Sequence, residues 1–297
     1  MLFWTIVKVA LKSLSANKLR SFLAMLGIII GVGSVISMLA LGTGAQEQVM
    51  ERISLMGTNL LVVRPGQRGS RGAQTGTQRN LVPDDAMAIL SEVSGVSQVA
   101  PVVSGAAQLK HFNKNARTIV IGSTMTYFPI RNFEIEHGRA FTESEAERMA
   151  RVAVIGPVTV ENLFGAGKPV GQTIKINGIN FRVIGILKSK GDQGWFNPDD
   201  QAIIPYTTAM KQLFGLDHLR EIDIQAAEGT DIGKVQEAIS AVLRKRHRLQ
   251  ADAPDDFYIR SQAEMVEIAS SVTRTFTILL GGIASISLLV GGIGIMN

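Results

Sequence analysis

Residues 21–46 read SFLAMLGIIIGVGSVISMLALGTGAQ, a run of 26 residues that contains no charged side chain. Twenty residues of α-helix span about 30 Å, which is the thickness of the hydrocarbon core of a bilayer. Residues 275–297 form a second charge-free run, TFTILLGGIASISLLVGGIGIMN. Because one Lys or Arg at the centre of a membrane costs about 2.5–3.5 kcal/mol, the two uninterrupted runs predict transmembrane helices over residues 19–45 and 275–297.

The charges around the first run predict its orientation. Four basic residues and no acidic residue precede it, and Glu47 and Glu51 follow it. The positive-inside rule therefore predicts a cytoplasmic N-terminus and an extracytoplasmic segment over residues 46–274. A cleaved signal peptide is the alternative, but the apolar run is longer than the usual 7–15 residues of such peptides.

Two further features favour a membrane location. Residues 1–18 place apolar side chains on one helical face and Lys8 and Lys12 on the other, which predicts an amphipathic helix in the membrane interface. Small residues at a spacing of four let membrane helices approach closely. The residues predicted to pack helix against helix in this way are Gly27, Gly31, Gly281, Ser285, Ser287 and Gly291.

Composition limits what the middle segment can be. The chain has 30 basic and 25 acidic residues, and four of the basic residues precede the first apolar run. The remainder is nearly neutral, so charge gives no indication of nucleic-acid binding. The chain has no cysteine, but a segment of about 228 residues can bury a sufficient core without disulfides.

The middle segment shows mixed strand and helix patterns. Asn177-Gly178 between two alternating runs is a strong signal for a two-residue hairpin. Near the end, a strand, a helix capped by Thr230 or Asp231, and a second strand follow one another. The predicted strands cover residues 59–63, 96–103, 106–112, 118–122, 173–176, 180–187, 220–226 and 256–260, the predicted helices cover 83–93 and 205–214, and the polar residues 64–80 form a predicted loop.

No catalytic, cofactor or metal site is predicted. The histidines His111, His137, His218 and His247 are far apart and lack metal-ligand spacing. The stretch 165–169 (GAGKP) lacks both the first glycine and the Ser or Thr that a phosphate-binding loop requires. Adjacent aspartates at 84–85, 199–200 and 255–256 are interpreted as caps and turns. The sequence therefore predicts that this chain is not an enzyme.

Several stretches resemble the permeases of MacB-type ABC transporters. Residues 17–32 (NKLRSFLAMLGIIIGV) resemble the first membrane helix of that family, and residues 57–60 (GTNL) resemble its first strand. Residues 151–156 (RVAVIG) and 171–174 (GQTI), with the Asn177-Gly178 hairpin, resemble its periplasmic region. Residues 280–297 resemble its second membrane helix. The similarity runs through the whole chain in order.

This resemblance implies an α+β protein of the bacterial inner membrane, in which two transmembrane helices flank an extracytoplasmic domain in the periplasm. The domain would consist of a porter-like α/β part, over residues 57–112 and 218–261, and an inserted β-rich sabre-like part over residues 113–217. It also implies a homodimer or paired permease and a separate cytoplasmic ABC ATPase subunit. ATP hydrolysis would then drive extracytoplasmic movement and export of drugs, peptides or lipoproteins, in some members through a periplasmic adaptor and an outer-membrane duct.

The sequence departs from this family pattern at its end. It stops at the second predicted helix, before the family's further membrane helices and FtsX-like C-terminal domain. We therefore expect a fragment of a longer permease or a truncated gene, unable by itself to couple ATP hydrolysis to movement. The alternatives are a two-span membrane sensor or ligand-binding protein and a membrane-tethered enzyme, for which the sequence supplies neither an output domain nor a cluster of catalytic residues.

Overall fold

The computed structural model describes residues 59–68, 74–75, 80–191 and 197–261, together with scattered helical positions between 4 and 44 and between 264 and 292. The chain divides into two units. Residues Arg52–Glu264 form one, and Met1–Glu51 together with Met265–Asn297 form the other. The first of these units contains all the strands and the cores described below.

The elements of this folded unit follow one another along the chain. The strands are β1 (Leu60–Pro65), β2 (Gln67–Arg68), β3 (Gln74–Thr75), β4 (Val96–His111), β5 (Lys114–Ser123), β6 (Ile135–Gly138), β7 (Val152–Ile155), β8 (Thr173–Ile176), β9 (Ile179–Leu187), β10 (Gln201–Pro205), β11 (Glu221–Ala226) and β12 (Phe257–Ser261). The helices are α1 (Pro83–Glu92), α2 (Tyr127–Ile130), α3 (Glu143–Glu147), α4 (Pro157–Phe164), α5 (Tyr206–Thr208) and α6 (Ile232–Arg246), and a π-helical turn covers Ala209–Phe214.

The first lobe is an antiparallel sheet with two helices on one face. Its strand order is β12–β1–β11–β4, and β4 contributes only its beginning, residues 96–102. Asp231 caps the N-terminus of helix α6, and its carboxylate accepts hydrogen bonds from the N–H groups of Gly233 and Lys234. Its apolar face and that of α1 pack on the sheet and form one core with it.

The second lobe is a sheet that closes on itself. From Val103 onward β4 pairs with β5, and the pairing continues through β10, β7, β9 and β8 back to β4. All six strands of this ring contribute to one apolar cluster, to which α4 adds Leu163 and the π-helical turn adds Ala209. Strand β6 pairs with β9 outside the ring. A third cluster joins the outer side of the ring to the first lobe and includes Leu60, Tyr127 and Phe141.

The two lobes share strand β4, and the π-helical turn packs directly against this strand and its neighbour β5. A Cβ atom at Gly122 of β5 would lie 2.2 Å from the Cβ of Ala209, and one at Gly105 of β4 would lie 2.7 Å from the Phe214 ring. These glycines permit a contact that any side chain would block. Met210 of the same turn belongs to the core of the first lobe, whereas Ala209 belongs to that of the second.

Most predicted elements are confirmed with small changes at their ends. The hairpin turn is confirmed by positive φ angles at Asn177 (47°) and Gly178 (86°), as its type requires. The strands predicted over 96–103 and 106–112 are a single strand, because Gly105 lies within β4 and makes room for Phe214. Strand β1 extends to Pro65, and β2 and β3 pair within the predicted loop over 64–80.

The predicted membrane segments lie largely outside the described residues. These are the amphipathic helix over 1–18 and the helices over 19–45 and 275–297. Among the positions that the structure does describe, no helix is both long and apolar enough to cross a membrane. The division between the porter-like and sabre-like parts at residues 112 and 113 stays a prediction, while the strand pairing itself changes within β4 at Val102 and Val103.

Replacing Gly122 by Ala should destabilise the folded unit. The new Cβ would overlap that of Ala209, and overpacking of this kind costs about 1–3 kcal/mol. Chemical denaturation of residues 52–264 measures the loss. A double variant, Gly122→Ala with Ala209→Gly, should recover part of it, because the overlapping atom is removed. A Gly122→Ala protein as stable as the original would show that the turn does not pack as described.

Candidate functional site: the ion cluster between the lobes

Arg131, at the end of α2 in the second lobe, reaches across to strand β11 of the first lobe. Its Nε atom donates a hydrogen bond to Oδ2 of Asp223 at 2.5 Å, and its Nη2 atom donates to Oδ1 of the same carboxylate at 2.7 Å. The Nη2 atom also donates to Oε1 of Glu221 at 3.1 Å. A planar guanidinium suits this two-point contact with a carboxylate.

The pair is removed from water. Asp223 is completely buried and the Arg131 side chain is 16% exposed. Burial raises the pKa of Asp223 to about 6, although the nearby Arg131 charge opposes the shift. Burial alone would lower the pKa of Arg131, but Asp223 and Glu221 raise it overall. The buried hydroxyl of Tyr127 beside the pair also has a raised pKa, mainly through loss of contact with water.

Two further bases complete the cluster. Arg64 of β1 donates from Nε to Oε2 of Glu221 at 2.6 Å, and its Nη2 atom forms an ion pair with the same oxygen at 2.5 Å. Lys190, which follows β9, donates from Nζ to the carbonyl oxygen of Arg131 at 2.7 Å and lies 4.4 Å from the centre of the Phe133 ring. Burial, with a smaller contribution from the Arg131 charge, lowers the pKa of Lys190 to about 8.

The sequence of β11 explains why two acids face the second lobe. Ile222 and Ile224 lie in the core of the first lobe, so the alternating residues Glu221 and Asp223 lie on the opposite face of the strand. The alternation was visible in the sequence, but the partner Arg131 is separated from Asp223 by 92 positions. Sequence reasoning therefore missed this cluster.

A second ionic cluster joins α1, α6 and β12 within the first lobe. The Nδ1 atom of His247 lies 2.8 Å from Oδ1 of Asp256, and its Nε2 atom lies 3.4 Å from Oδ2 of Asp85. Arg246 donates from Nε to Oδ1 of Asp85 at 2.7 Å. Only the protonated imidazole can donate to both carboxylates.

The titration behaviour of this second cluster follows from its hydrogen bonds. Hydrogen bonding to Asp85 and Asp256 raises the pKa of His247, against the opposing effect of burial. Burial alone would raise the pKa of Asp85, but hydrogen bonds from His247, Arg246 and the Val82 N–H lower it overall. In the sequence, the aspartates at 84–85 and 255–256 resemble caps and turns, and nothing there connects them with His247.

The small residues predicted to pack membrane helices lie only partly within the described residues. Gly27, Gly31, Ser287 and Gly291 fall outside them. The Ser285 hydroxyl donates to the carbonyl oxygen of Gly281 at 2.8 Å, one turn earlier in the helix. A Cβ atom at Gly281 would meet none of the described atoms within 4 Å. Their role in packing stays a prediction.

Lys168 belongs to the stretch 165–169 that lacks the full phosphate-binding pattern, and it lies between α4 and β8. Within the described ranges 59–68, 74–75, 80–191 and 197–261 and the scattered helical positions, no group of three His, Cys, Asp or Glu residues is arranged to hold a metal ion. The two ion clusters each join several elements of the fold.

A profile of the MacB-like periplasmic core domain matches residues 21–242, which is more than half of the chain. The chain belongs to this family. It is 42% identical over 289 residues to the macrolide export ATP-binding/permease protein MacB of Bdellovibrio bacteriovorus, covering 96% of the chain and 44% of that protein. It is 43% identical over 302 residues to the protein of the same name in Chlorobium luteolum, covering 98% of the chain and 44% of that protein.

Solved structures show the same fold. The periplasmic region of MacB from Actinobacillus actinomycetemcomitans superimposes with a TM-score of 0.62 at 23% identity, covering 74% of this chain and 97% of that one. The extracellular domain of the transporter YknZ from Gram-positive bacteria superimposes with a TM-score of 0.56 at 18% identity, covering 68% of this chain and 100% of that one. The folded unit is thus a MacB-like periplasmic core domain, which places it on the periplasmic side of an inner-membrane protein.

The chain spans less than half the length of these curated MacB relatives. Membership of the family makes the folded unit a component of a MacB-type ABC transporter. The names of the relatives include ATP binding as well as permease.

Replacing Arg131 by Met should strongly destabilise the core domain, because Asp223 would stay buried without its partner. Removing one member of a buried ion pair costs about 3–5 kcal/mol. The matched control is Arg139→Met, which breaks an exposed pair with Glu145 and should cost less than about 1 kcal/mol. Denaturation of both variants gives the comparison, and equal losses would contradict the assigned burial. The double variant Arg131→Met with Asp223→Leu should recover much of the stability.

The His247 cluster should make stability depend on pH. A raised pKa means that the folded state binds the proton more tightly, so its contribution is complete below the ordinary value of 6.5. That contribution is lost as the pH rises through the higher pKa of the folded state, with a limiting slope of about 1.4 kcal/mol per pH unit. The free energy of unfolding of residues 52–264 should be measured from pH 6 to 8. It should fall more steeply with rising pH in the original protein than in the His247→Asn variant. Parallel curves would exclude a protonated His247.

Proposed function

We propose that this chain supplies the first part of the permease of a MacB-type ABC transporter. The periplasmic core domain moves in response to ATP hydrolysis by a separate cytoplasmic ATPase subunit, and this movement drives export. The relatives named as macrolide export proteins support the proposal, since the similarity extends over almost the whole chain. Drugs, peptides or lipoproteins are the substrate classes that we propose.

We further propose that residues 19–45 and 275–297 lie in the inner membrane, with the N-terminus in the cytoplasm. Described positions in these segments expose large apolar side chains, including Phe22 (61%), Ile36 (63%) and Leu289 (66%). Lipid would cover such side chains at no cost. A Cβ atom at Gly42 would lie 3.7 Å from Oγ1 of Thr277, which supports packing of the two segments against each other.

The ion cluster between the lobes is the observation that best supports a mechanical role. A domain that transmits movement must not dissipate it by deforming between its parts. Three contacts join the lobes. Strand β4 runs through both as a continuous backbone, the π-helical turn packs apolar side chains, and Arg131 and Asp223 form a buried ion pair. Interfaces of this kind resist continuous deformation. The domain is therefore suited to move as one body.

The partners follow from this role. A transporter of this type needs an ATPase and a second permease copy or a paired permease. For passage beyond the periplasm it also needs an adaptor and an outer-membrane duct. A Cβ atom at Gly281 would meet none of the described atoms within 4 Å, and small residues allow close approach, so this position is suited to contact with a further membrane helix.

Purification of the protein as its host makes it, after crosslinking in intact membranes, tests the proposal. An ABC ATPase should be recovered with it, because the membrane segments contact the ATPase side of the bilayer. The same tag on residues 52–264 alone should recover no ATPase, and this control removes non-specific capture. Recovery of a kinase or cyclase partner, or of no ATPase from either bait, would contradict the transporter role and favour a membrane sensor.

A further inference from the structure

Four neighbouring strand segments carry only basic charge at the end of the ring that includes the β4–β5 turn. They comprise residues 104–111 of β4, 114–119 of β5, 173–176 of β8 and 179–182 of β9. None of these segments contains an Asp or Glu. Alternate residues lie in the core inside the ring, so the residues between them face outward. The exposed basic residues among these outward residues are Lys110, Arg117, Lys175 and Arg182.

These charges are arranged unfavourably for folding alone. Lys110 and Lys175 are direct cross-strand partners, and like charges in that position are destabilising. In the described part of the chain, none of the four side chains has a carboxylate partner. Other bases of the domain are paired, including Arg64, Arg131 and Arg246. The unpaired basic face therefore has no evident role in the stability of the ring.

An exposed aromatic residue lies at the same end. Phe112 occupies the tight turn between β4 and β5 and is 82% exposed. Its φ angle of 50° is in the left-handed region, which is costly for a bulky residue. Its ring contacts that of His111 edge-on, with the centroids 4.5 Å apart. Folding would favour glycine at this position, and Phe112 instead presents an apolar ring to the solvent.

We propose that Lys110, Phe112, Arg117, Lys175 and Arg182, here called the distal surface, bind another protein whose contact surface is acidic. Aromatic and Arg side chains dominate the energy of protein interfaces, and complementary charge sets orientation and rate of association. Phe112 would enter an apolar recess of the partner, and carboxylates around the recess would pair with the four bases. Binding would relieve the repulsion between Lys110 and Lys175.

The observations favour a protein over a lipid surface. Leu60 and Ser261 are near the ends through which the chain leaves the core domain. Through the intervening strands of the sheet, they lie level with the beginning of β4. The turn that carries Phe112 is at the other end of this strand, about 40 Å away at 3.3 Å per residue. Amide side chains of Gln108, Asn115 and Asn180 lie among the bases and can form specific hydrogen bonds. This inference rests on the proposed function, because it takes the two ends to lead into the membrane.

The test places a photo-crosslinking amino acid at position 108 of the protein as its host makes it. After irradiation of intact cells, mass spectrometry of the adduct should identify a peptide of another polypeptide that is rich in Asp and Glu. The variant Lys110→Glu with Lys175→Glu should reduce the adduct at least tenfold. The matched control, Lys234→Glu with Arg248→Glu, makes the same charge change at exposed bases in the first lobe and should leave the yield within twofold.

Phe112→Gly separates binding from folding. Glycine accepts the positive φ angle, so this variant should unfold at a higher denaturant concentration than the original while losing the adduct at least tenfold. Replacing the acids of the identified peptide by Lys should restore the adduct to the Lys110→Glu, Lys175→Glu variant. That charge exchange distinguishes a specific contact from chance proximity.

Several results would overturn the inference. They are an adduct with a second copy of this chain, an adduct insensitive to charge reversal at 110 and 175, or no protein adduct. Binding of residues 52–264 to phosphatidylglycerol vesicles that is lost on the same charge reversal, without a protein adduct, would assign the surface to lipid. If the ATPase is still recovered from these membranes, the distal surface alone is wrongly assigned and the transporter role stands.

Discussion

The core domain depends on one strand that belongs to two sheets. The beginning of β4 completes the antiparallel sheet of the first lobe, and its end is a member of the closed ring of the second. A strand of 16 residues cannot be displaced in one sheet without changing its register in the other. The contacts around it, from Phe214 at Gly105 to Ala209 at Gly122, fix the point at which it passes from lobe to lobe.

The buried Arg131–Asp223 pair adds specificity at this junction. Desolvating two charges offsets much of their attraction, so such a pair is poor evidence of extra stability. A misplaced second lobe, however, would leave Asp223 uncompensated in a dry interface. The pair thus penalises alternative arrangements of the lobes, while the apolar clusters on both sides supply the driving force for folding.

The sequence predicted local structure well because local signals are strong there. Asn177-Gly178 gave the hairpin, and Asp231 with the apolar repeat of α6 gave the helix. The continuity of β4 was not predictable, because Gly105 reads as a break until Phe214 is known to lie against it. The ion clusters were missed for a similar reason. Their members lie 59 or more positions apart or, like Asp85 and Asp256, resemble ordinary caps and turns.

Closure of the ring also has a consequence for crowding. A strand that has neighbours on both sides offers no row of unpaired amides and carbonyls to a foreign chain. Within the described strands, the order of the main sheet ends in β12 on one side and in the four-residue β6, which carries Glu136, on the other. The closed ring therefore lets copies of the domain lie close together at high surface density with few strand edges available to form mixed β-sheets.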